Sequence, residues 1–147
     1  MNYLLDTAPL AAYARRRPGA VGRLEPLIQQ GETATTILNY GEVIEGLQSI
    51  PTDFMHNQAV LRDLVDQHIT LLVPDYAVME RYAQIRRTLR TLRTATGQPV
   101  GLIGDIDTLI AAIALEKKLT LITTDTDYQR VPGLSIQLLT MAQLRTS

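Results

Sequence analysis

The chain has 147 residues, 46% hydrophobic and 20% charged, which is the length of one globular domain with a single core across residues 1–147 and argues against disorder. Fourteen Lys and Arg against fifteen Asp and Glu leave a net charge of -1, which excludes a polycation that coats nucleic acid indiscriminately. The absence of cysteine excludes disulfide scaffolds, Cys-ligated zinc, iron–sulfur clusters and thiol nucleophiles, so any chemistry must use oxygen or nitrogen groups.

Residues 2–5 (Asn-Tyr-Leu-Leu) are β-prone and are expected to form a first strand. Asp6 and Thr7 then offer an N-cap and Pro9 suits a first helical turn, with helices expected to about Arg16 and over about 20–30. The β-branched run 33–36 reads as a second strand, and Asn39 with Glu42 three residues later starts a helix to Gly46. Pro51 opens another helix to about Gln67, and residues 69–73 form a third strand closed by Pro74.

A long helix is expected over about 75–95, and the region 51–99 reads as a helical arm within the domain. Val78, Tyr82, Ile85, Leu89 and Leu92 make one apolar stripe along that helix, with Arg86, Arg90 and Arg93 on its flank. Such arginines usually form a solvated face, but their row beside the stripe also suits phosphate contacts. Gly97, Pro99, Gly101 and Gly104 mark a loop, after which 108–118 is a nearly all-apolar helix whose Ala111, Ala112 and Ala114 permit close approach to a sheet. Residues 119–123 and 135–139 read as a fourth and fifth strand around a short turn at 125–130, followed by a tail. Alternation of strands and helices predicts a three-layer α/β/α fold with a central, mostly parallel sheet of four to five strands.

Four acids share a position in this arrangement: Asp6 ends the first strand, Glu42 begins the helix after the second, Asp107 begins the Ala-rich helix and Asp125 ends the fourth strand. In an open parallel sheet these places lie along one edge, where ligands bind. Each acid also admits a structural role: Asp6 and Asp107 as N-caps, Glu42 as half of a capping box with Asn39, and Asp125 in an Asx-turn. Capping, however, is served equally by Ser, Thr or Asn, and two carboxylates about 5 Å apart repel by about 3 kcal/mol at an effective dielectric near 20. A cation should offset that repulsion, and an oxygen-only donor set favours Mg²⁺ or Mn²⁺ over zinc. His56 and His68 lie away from the acid edge and suit surface or core roles. Phosphate-loop, dinucleotide and hydrolase-elbow motifs are all absent from the sequence. Setting the four acids aside moves the net charge from -1 to +3, and setting Asp105 and Asp127 aside as well moves it to +5, a mildly basic frame suited to a polyanion.

The segments N-Y-L-L-D-T, E-V-I-E-G, G-D-I-D-T-L-I-A-A-I-A and L-T-L-I-T-T-D-T-D-Y-Q-R-V-P-G-L resemble, in order and spacing, the PIN-domain family, and within it the VapC-type toxins of toxin–antitoxin pairs. The resemblance covers nearly the whole chain. It implies an Mg²⁺- or Mn²⁺-dependent endoribonuclease with Asp6, Glu42, Asp107 and Asp125 as its catalytic and metal-binding quartet, Asp127 as an auxiliary metal ligand and Thr7 as an accompanying hydroxyl. It also implies an RNA substrate, a homodimer, and a VapB-type antitoxin that reaches the acid pocket; Arg86, Arg90 and Arg93, from their row beside the apolar stripe and the basic frame, are candidate RNA or antitoxin contacts. Asn39 departs from the pattern by standing where Thr is common, Tyr128 replaces a usual Phe, and Asp105 is an extra acid.

Other α/β folds with acid pockets fit less well. A phosphotransfer receiver needs a Lys at the end of its last strand, whereas Lys117 and Lys118 sit in a helix; a haloacid-dehalogenase-type phosphatase needs Asp two residues after its first, where this chain has Ala8. A non-catalytic PIN module that binds RNA or protein would be marked by loss of a quartet acid, and none is lost. No window reaches the ~18 apolar residues of a membrane span, and the lack of cysteine suits a reducing compartment, so a cytoplasmic location is expected.

Overall fold

Leu4 and Leu5 are adjacent and both fully buried, yet each joins a different apolar cluster, so the strand that carries them is covered on both faces. The computed structural model describes residues 1–49 and 52–146. In chain order they form β1 (Tyr3–Leu5), α1 (Thr7–Ala14), α2 (Pro18–Gln29), β2 (Thr33–Thr36), α3 (Ile37–Gln48), α4 (Phe54–Gln67) and β3 (Thr70–Leu72). Then follow α5 (Tyr76–Thr91), α6 (Asp105–Lys117), β4 (Thr120–Thr123), a 3-10 turn (Thr126–Arg130), β5 (Ile136–Leu138) and α7 (Met141–Arg145).

The five strands lie in the order β3-β2-β1-β4-β5 and every pairing is parallel. The chain therefore builds outward from β1 in one direction, returns, and builds outward in the other. The reversal falls between β1 and β4, which are in register from Tyr3 opposite Thr120 to Leu5 opposite Ile122. Leu4, Ala34 and Leu121 face α5 and α6, where Ala111, Ala112 and Ala114 are fully buried and let α6 approach the sheet closely. Leu5 and Ile122 face the other layer, with Leu10 of α1, Leu24 of α2, Val43 of α3, Leu61 of α4 and Leu144 of α7. The three-layer expectation holds, with all five strands parallel.

Several boundaries differ from the sequence reading for local reasons. Thr36, in extended conformation, caps α3 by accepting from the Asn39 N–H, so Asn39 sits inside the first turn and is not the cap. Gly104 is the N-cap of α6, which places both Asp105 and Asp107 in its first turn and starts the helix three residues before the expected Thr108. Beyond Thr91 the backbone turns extended: Arg93 pairs antiparallel with Pro99, and the Thr94 N–H reaches the Gln98 carbonyl. Arg93 thus lies on a small hairpin and not on α5. The expected opening of a helix at Pro51 lies outside the described residues, and α4 begins at Phe54.

The presumed tail folds as α7. Thr140 and Gln143 form a reciprocal capping box there, and Leu144 is fully buried against the α1–α2 layer. The contact depends on Gly19 of α2, where an added Cβ would stand 2.0 Å from the Gln143 carbonyl oxygen and 2.3 Å from that of Thr146. Gly22, one turn later on α2, has open space around the same position. Gly19→Ala should therefore lower stability by about 1–3 kcal/mol, while Gly22→Ala should raise it by about 0.5–1 kcal/mol. Urea denaturation of both variants checks the pair, and equal effects would mean that α7 does not dock on α2 in solution.

Candidate active site

Asp6 follows the last residue of β1, and its backbone N–H continues the sheet by donating to the Ile122 carbonyl at 3.0 Å. It occupies the N-cap position of α1 but makes no side-chain cap bond. Its carboxylate is 8% exposed and is used elsewhere. Thr123 Oγ1 donates to Oδ2 at 2.6 Å, and Asn39 Nδ2 donates to Oδ1 at 2.9 Å. Burial raises the Asp6 pKa above the ordinary carboxyl value; these hydrogen bonds and the Thr7 backbone N–H oppose the rise, and the Asp125 charge adds to it.

Glu42 lies one turn beyond Asn39 on α3, and its Oε1 accepts the Thr7 hydroxyl at 2.7 Å. Thr7 in turn accepts from Asn39 Nδ2 at 3.0 Å. Glu42 therefore does not close a capping box with Asn39; its partner belongs to α1.

Asp107 comes from the other layer. Tyr128 donates its hydroxyl to Asp107 Oδ1 at 3.1 Å and stands 3.4 Å from Asp6 Oδ1, so one buried phenol lies between two carboxylates. Burial, then the Asp6 and Asp107 charges, push the Tyr128 pKa up, which keeps it a neutral donor. The Asp107 pKa is also raised, first by burial and then by the charges of Asp6, Asp125 and Glu42. Asp107 thus senses the charges of three acids that come from three other stretches of chain. The repulsion expected from sequence is present but is second to burial.

Asp125 caps the 3-10 turn by accepting the Asp127 N–H at 2.8 Å, as an Asx-turn residue would, while its own N–H donates to Thr123 Oγ1 at 3.0 Å. The turn aims Asp127 elsewhere: its carboxylate pairs with Arg130 at 3.4 Å. Asp105 separates from the group by pairing with Arg86, whose guanidinium also lies over the Tyr82 ring at 5.7 Å. That pair sets the C-terminal half of α5 beside the start of α6, because Asp75 and Lys117 pair at 3.1 Å at the opposite ends of the same two helices. Arg86 is 22% exposed and held, while Arg90 and Arg93 are exposed.

Among the described residues, no three Asp, Glu or His side chains converge as a ready-made metal cage. Asp6, Glu42 and Asp107 are each satisfied by neutral hydroxyl or amide donors. The donor set is nonetheless oxygen-only and concentrated, which suits a hard cation such as Mg²⁺ that keeps several of its waters and takes only one or two carboxylates directly. A cleft of about 300 Å³ bordered by Tyr13, Glu25 and His68 shares no residue with the acids. His56 and His68 are both exposed.

Three members of this network were not assigned a site role from sequence: Thr123, Tyr128 and Asn39. Tyr128 carried a signal, a hydroxylated aromatic at a position where Phe is usual. The roles of Thr123 and Asn39 depend on strand pairing and could not be read from local pattern.

A parallel sheet with acids gathered outside β1 and β4 defines a class of α/β protein with a ligand crevice at the carboxyl edge. The PIN domain family model matches residues 3–134, and the chain belongs to the PIN-domain family, a family of nucleases. Its fold matches VapBC2 from Rickettsia felis bound to a DNA fragment from their promoter, at 22% identity over 95% of this chain and 99% of that one, with a TM-score of 0.76. It also matches VapBC-1 from nontypeable Haemophilus influenzae (25% identity, 94% and 98% covered, TM-score 0.73). FitAcB from Neisseria gonorrhoeae is similar at 26% identity, with 91% and 95% covered and a TM-score of 0.68. These likenesses agree with the VapC-type resemblance of the motifs. No curated protein matches the chain.

The raised pKa values have a stability consequence. A carboxyl that holds its proton more tightly in the native state contributes stability that is complete below the ordinary value of 3.8 and is lost as pH rises through the raised native value. Asp107→Asn removes one such group, and Tyr128 can still donate to the amide oxygen. In EDTA the variant should melt a few degrees above the parent at pH 7, with the gap closing below about pH 4. Thermal melts across that range check it, and a variant that melts lower at pH 7 would contradict the assignment.

Proposed function

We propose that this chain is the toxin of a VapBC-type pair and acts as an Mg²⁺- or Mn²⁺-dependent endoribonuclease. The observation that carries the reading is the hydrogen-bond network at the switch point of a PIN-domain sheet, in which Tyr128 lies between Asp6 and Asp107 and Asn39 with Thr7 joins Asp6 to Glu42, with Asp125 just beyond the end of β4. Asp6, Glu42, Asp107 and Asp125 would hold the cation, with Asp127 auxiliary once released from Arg130. A divalent cation bound there supplies Lewis-acid polarisation of a phosphodiester and lowers the pKa of a water.

The residues of the chain provide position and charge. Thr123, Asn39 and the Thr7 N–H hold the Asp6 carboxylate, Tyr128 holds Asp107, and the Asx-turn holds Asp125. The buried phenol stays protonated and donates, so it takes no proton from substrate. Arg86, Arg90 and Arg93 supply positive charge on the rim for RNA phosphates. In-line attack by water expels the 3′-oxygen and leaves 5′-phosphate and 3′-hydroxyl ends, with no 2′,3′-cyclic phosphate. A second copy of the chain and a VapB-type antitoxin are the protein partners of this reading, and the cytoplasm is its location. No described helix is long and apolar enough to cross a membrane.

A structured RNA incubated with purified protein should be cut when Mg²⁺ or Mn²⁺ is present and spared in EDTA. Asp6→Asn, Glu42→Gln, Asp107→Asn and Asp125→Asn should each reduce cutting by about 100-fold or more, and Asp105→Asn by less. RNA that is bound but never cut by the parent would favour a non-catalytic binding module. Loss of activity in Asp105→Asn with retention in Asp107→Asn would reverse the roles of those two acids.

The arginine rim is tested separately. Changing Arg86, Arg90 and Arg93 together to Gln should weaken RNA binding across sequences and flatten its salt dependence by about 0.7 per lost phosphate contact. An unchanged slope would return these side chains to a solvated face or to antitoxin contacts.

A further inference from the structure

Asn39 is fully buried, and each polar atom of its side chain has a partner. Its Oδ1 accepts from Thr36 Oγ1 at 2.7 Å, while Nδ2 donates to Asp6 Oδ1 at 2.9 Å and to Thr7 Oγ1 at 3.0 Å. The directions of these bonds are set by proton count. Thr36 Oγ1 already accepts the Asn39 backbone N–H at 3.1 Å, so its own proton goes to Oδ1. Thr7 Oγ1, having accepted from Nδ2, gives its only proton to Glu42 Oε1 at 2.7 Å. Reversing the amide would set a carbonyl oxygen against the Asp6 carboxylate, so electrostatics selects the same orientation.

One amide therefore ties together two acids that belong to different elements. It touches Asp6 directly and reaches Glu42 through Thr7. We propose that Asn39 is a positioning residue that locks Asp6 and Glu42 into a single acid unit and thereby sets the divalent-cation affinity of the site. The proposal rests on the metal-dependent reading above.

The chemistry explains the residue type. A Ser or Thr hydroxyl has one proton and serves Asp6 or Thr7 but not both. Asp would place a third carboxylate against Asp6, and Gln would push the amide one methylene into a filled space. Among side chains of this size, only Asn supplies two N–H donors and an acceptor for Thr36. The helix cap does not need this arrangement, because Thr36 caps α3 through the Asn39 backbone N–H alone.

The test measures cation binding directly, by titrating EDTA-stripped protein with Mn²⁺ and following the free ion by electron paramagnetic resonance. Asn39→Ser should weaken Mn²⁺ binding about 10-fold, Thr7→Val should weaken it less, and the double variant should bind no worse than Asn39→Ser, since both changes break one chain of bonds. A purely structural Asn39 would lower the melting temperature and leave the affinity of the folded protein unchanged; that result would overturn the proposal. If Asn39→Ser does not fold, Thr7→Val decides, because it keeps the cap and the amide, and parent-like affinity there would equally overturn it. A parent that leaves the Mn²⁺ signal unchanged would overturn the metal-dependent reading, and this proposal with it.

Discussion

A carboxylate withdrawn from water at the end of the central strand is the constraint on which the rest of this molecule depends. Asp6 is 8% exposed, and a charge so placed is tolerated only where donors replace its lost hydration. Those donors come from β4 through Thr123, from α3 through Asn39 and from the start of α1 through the Thr7 N–H. None of them is near Asp6 in sequence except Thr7. The parallel register of β1 with β4 and the cap of α3 must both be correct before the carboxylate is satisfied, so the site and the fold specify each other.

The other acids sit around that centre in graded solvation. Asp107 shares the Tyr128 phenol with Asp6, Glu42 is held by Thr7, and Asp125 lies in a turn that also orders Asp127. Neutral donors moderate the mutual repulsion without abolishing it. The first turn of α6, which carries Asp105 and Asp107, adds the favourable end of a helix dipole. Asp105 is the acid that leaves the group, by pairing with Arg86 of α5. A site so arranged is concentrated in negative charge that only neutral donors moderate.

This tension bears on function through stability. Burial raises the Asp6 and Asp107 pKa values, so at neutral pH the folded protein carries charges that burial disfavours. On the metal-dependent reading proposed above, a cation bound preferentially by the native state would compensate by mass action. Stability is in this way exchanged for a polar, preorganised crevice in an otherwise apolar sandwich.

Much of this was legible before any coordinates. β-Prone runs and strand–helix alternation placed all five strands to within a residue at each end, the Ala-rich run identified a helix that packs closely on the sheet, and the positions of Asp6, Glu42, Asp107 and Asp125 at strand and helix ends pointed to one edge. These signals are local, carried by propensity, capping chemistry and hydrophobic spacing. The donors from Asn39 and Thr123 were not legible, because these side chains lie 33 and 117 residues from Asp6 in sequence and meet it only once β1 pairs with its neighbours and α3 follows β2. Asn39 looked like a helix cap because its chemistry allows that role, and only the neighbouring Thr36, already extended at the end of β2, released it for another. The different surroundings of Asp105 and Asp107 were equally hidden: two residues apart in one helical turn, one pairs with Arg86 and the other accepts from Tyr128. Sequence determined which residue types stand at the carboxyl edge, since strand and cap signals act over a few residues; tertiary structure alone decided which of them touch, since hydrogen-bond direction and desolvation depend on what the rest of the chain brings alongside.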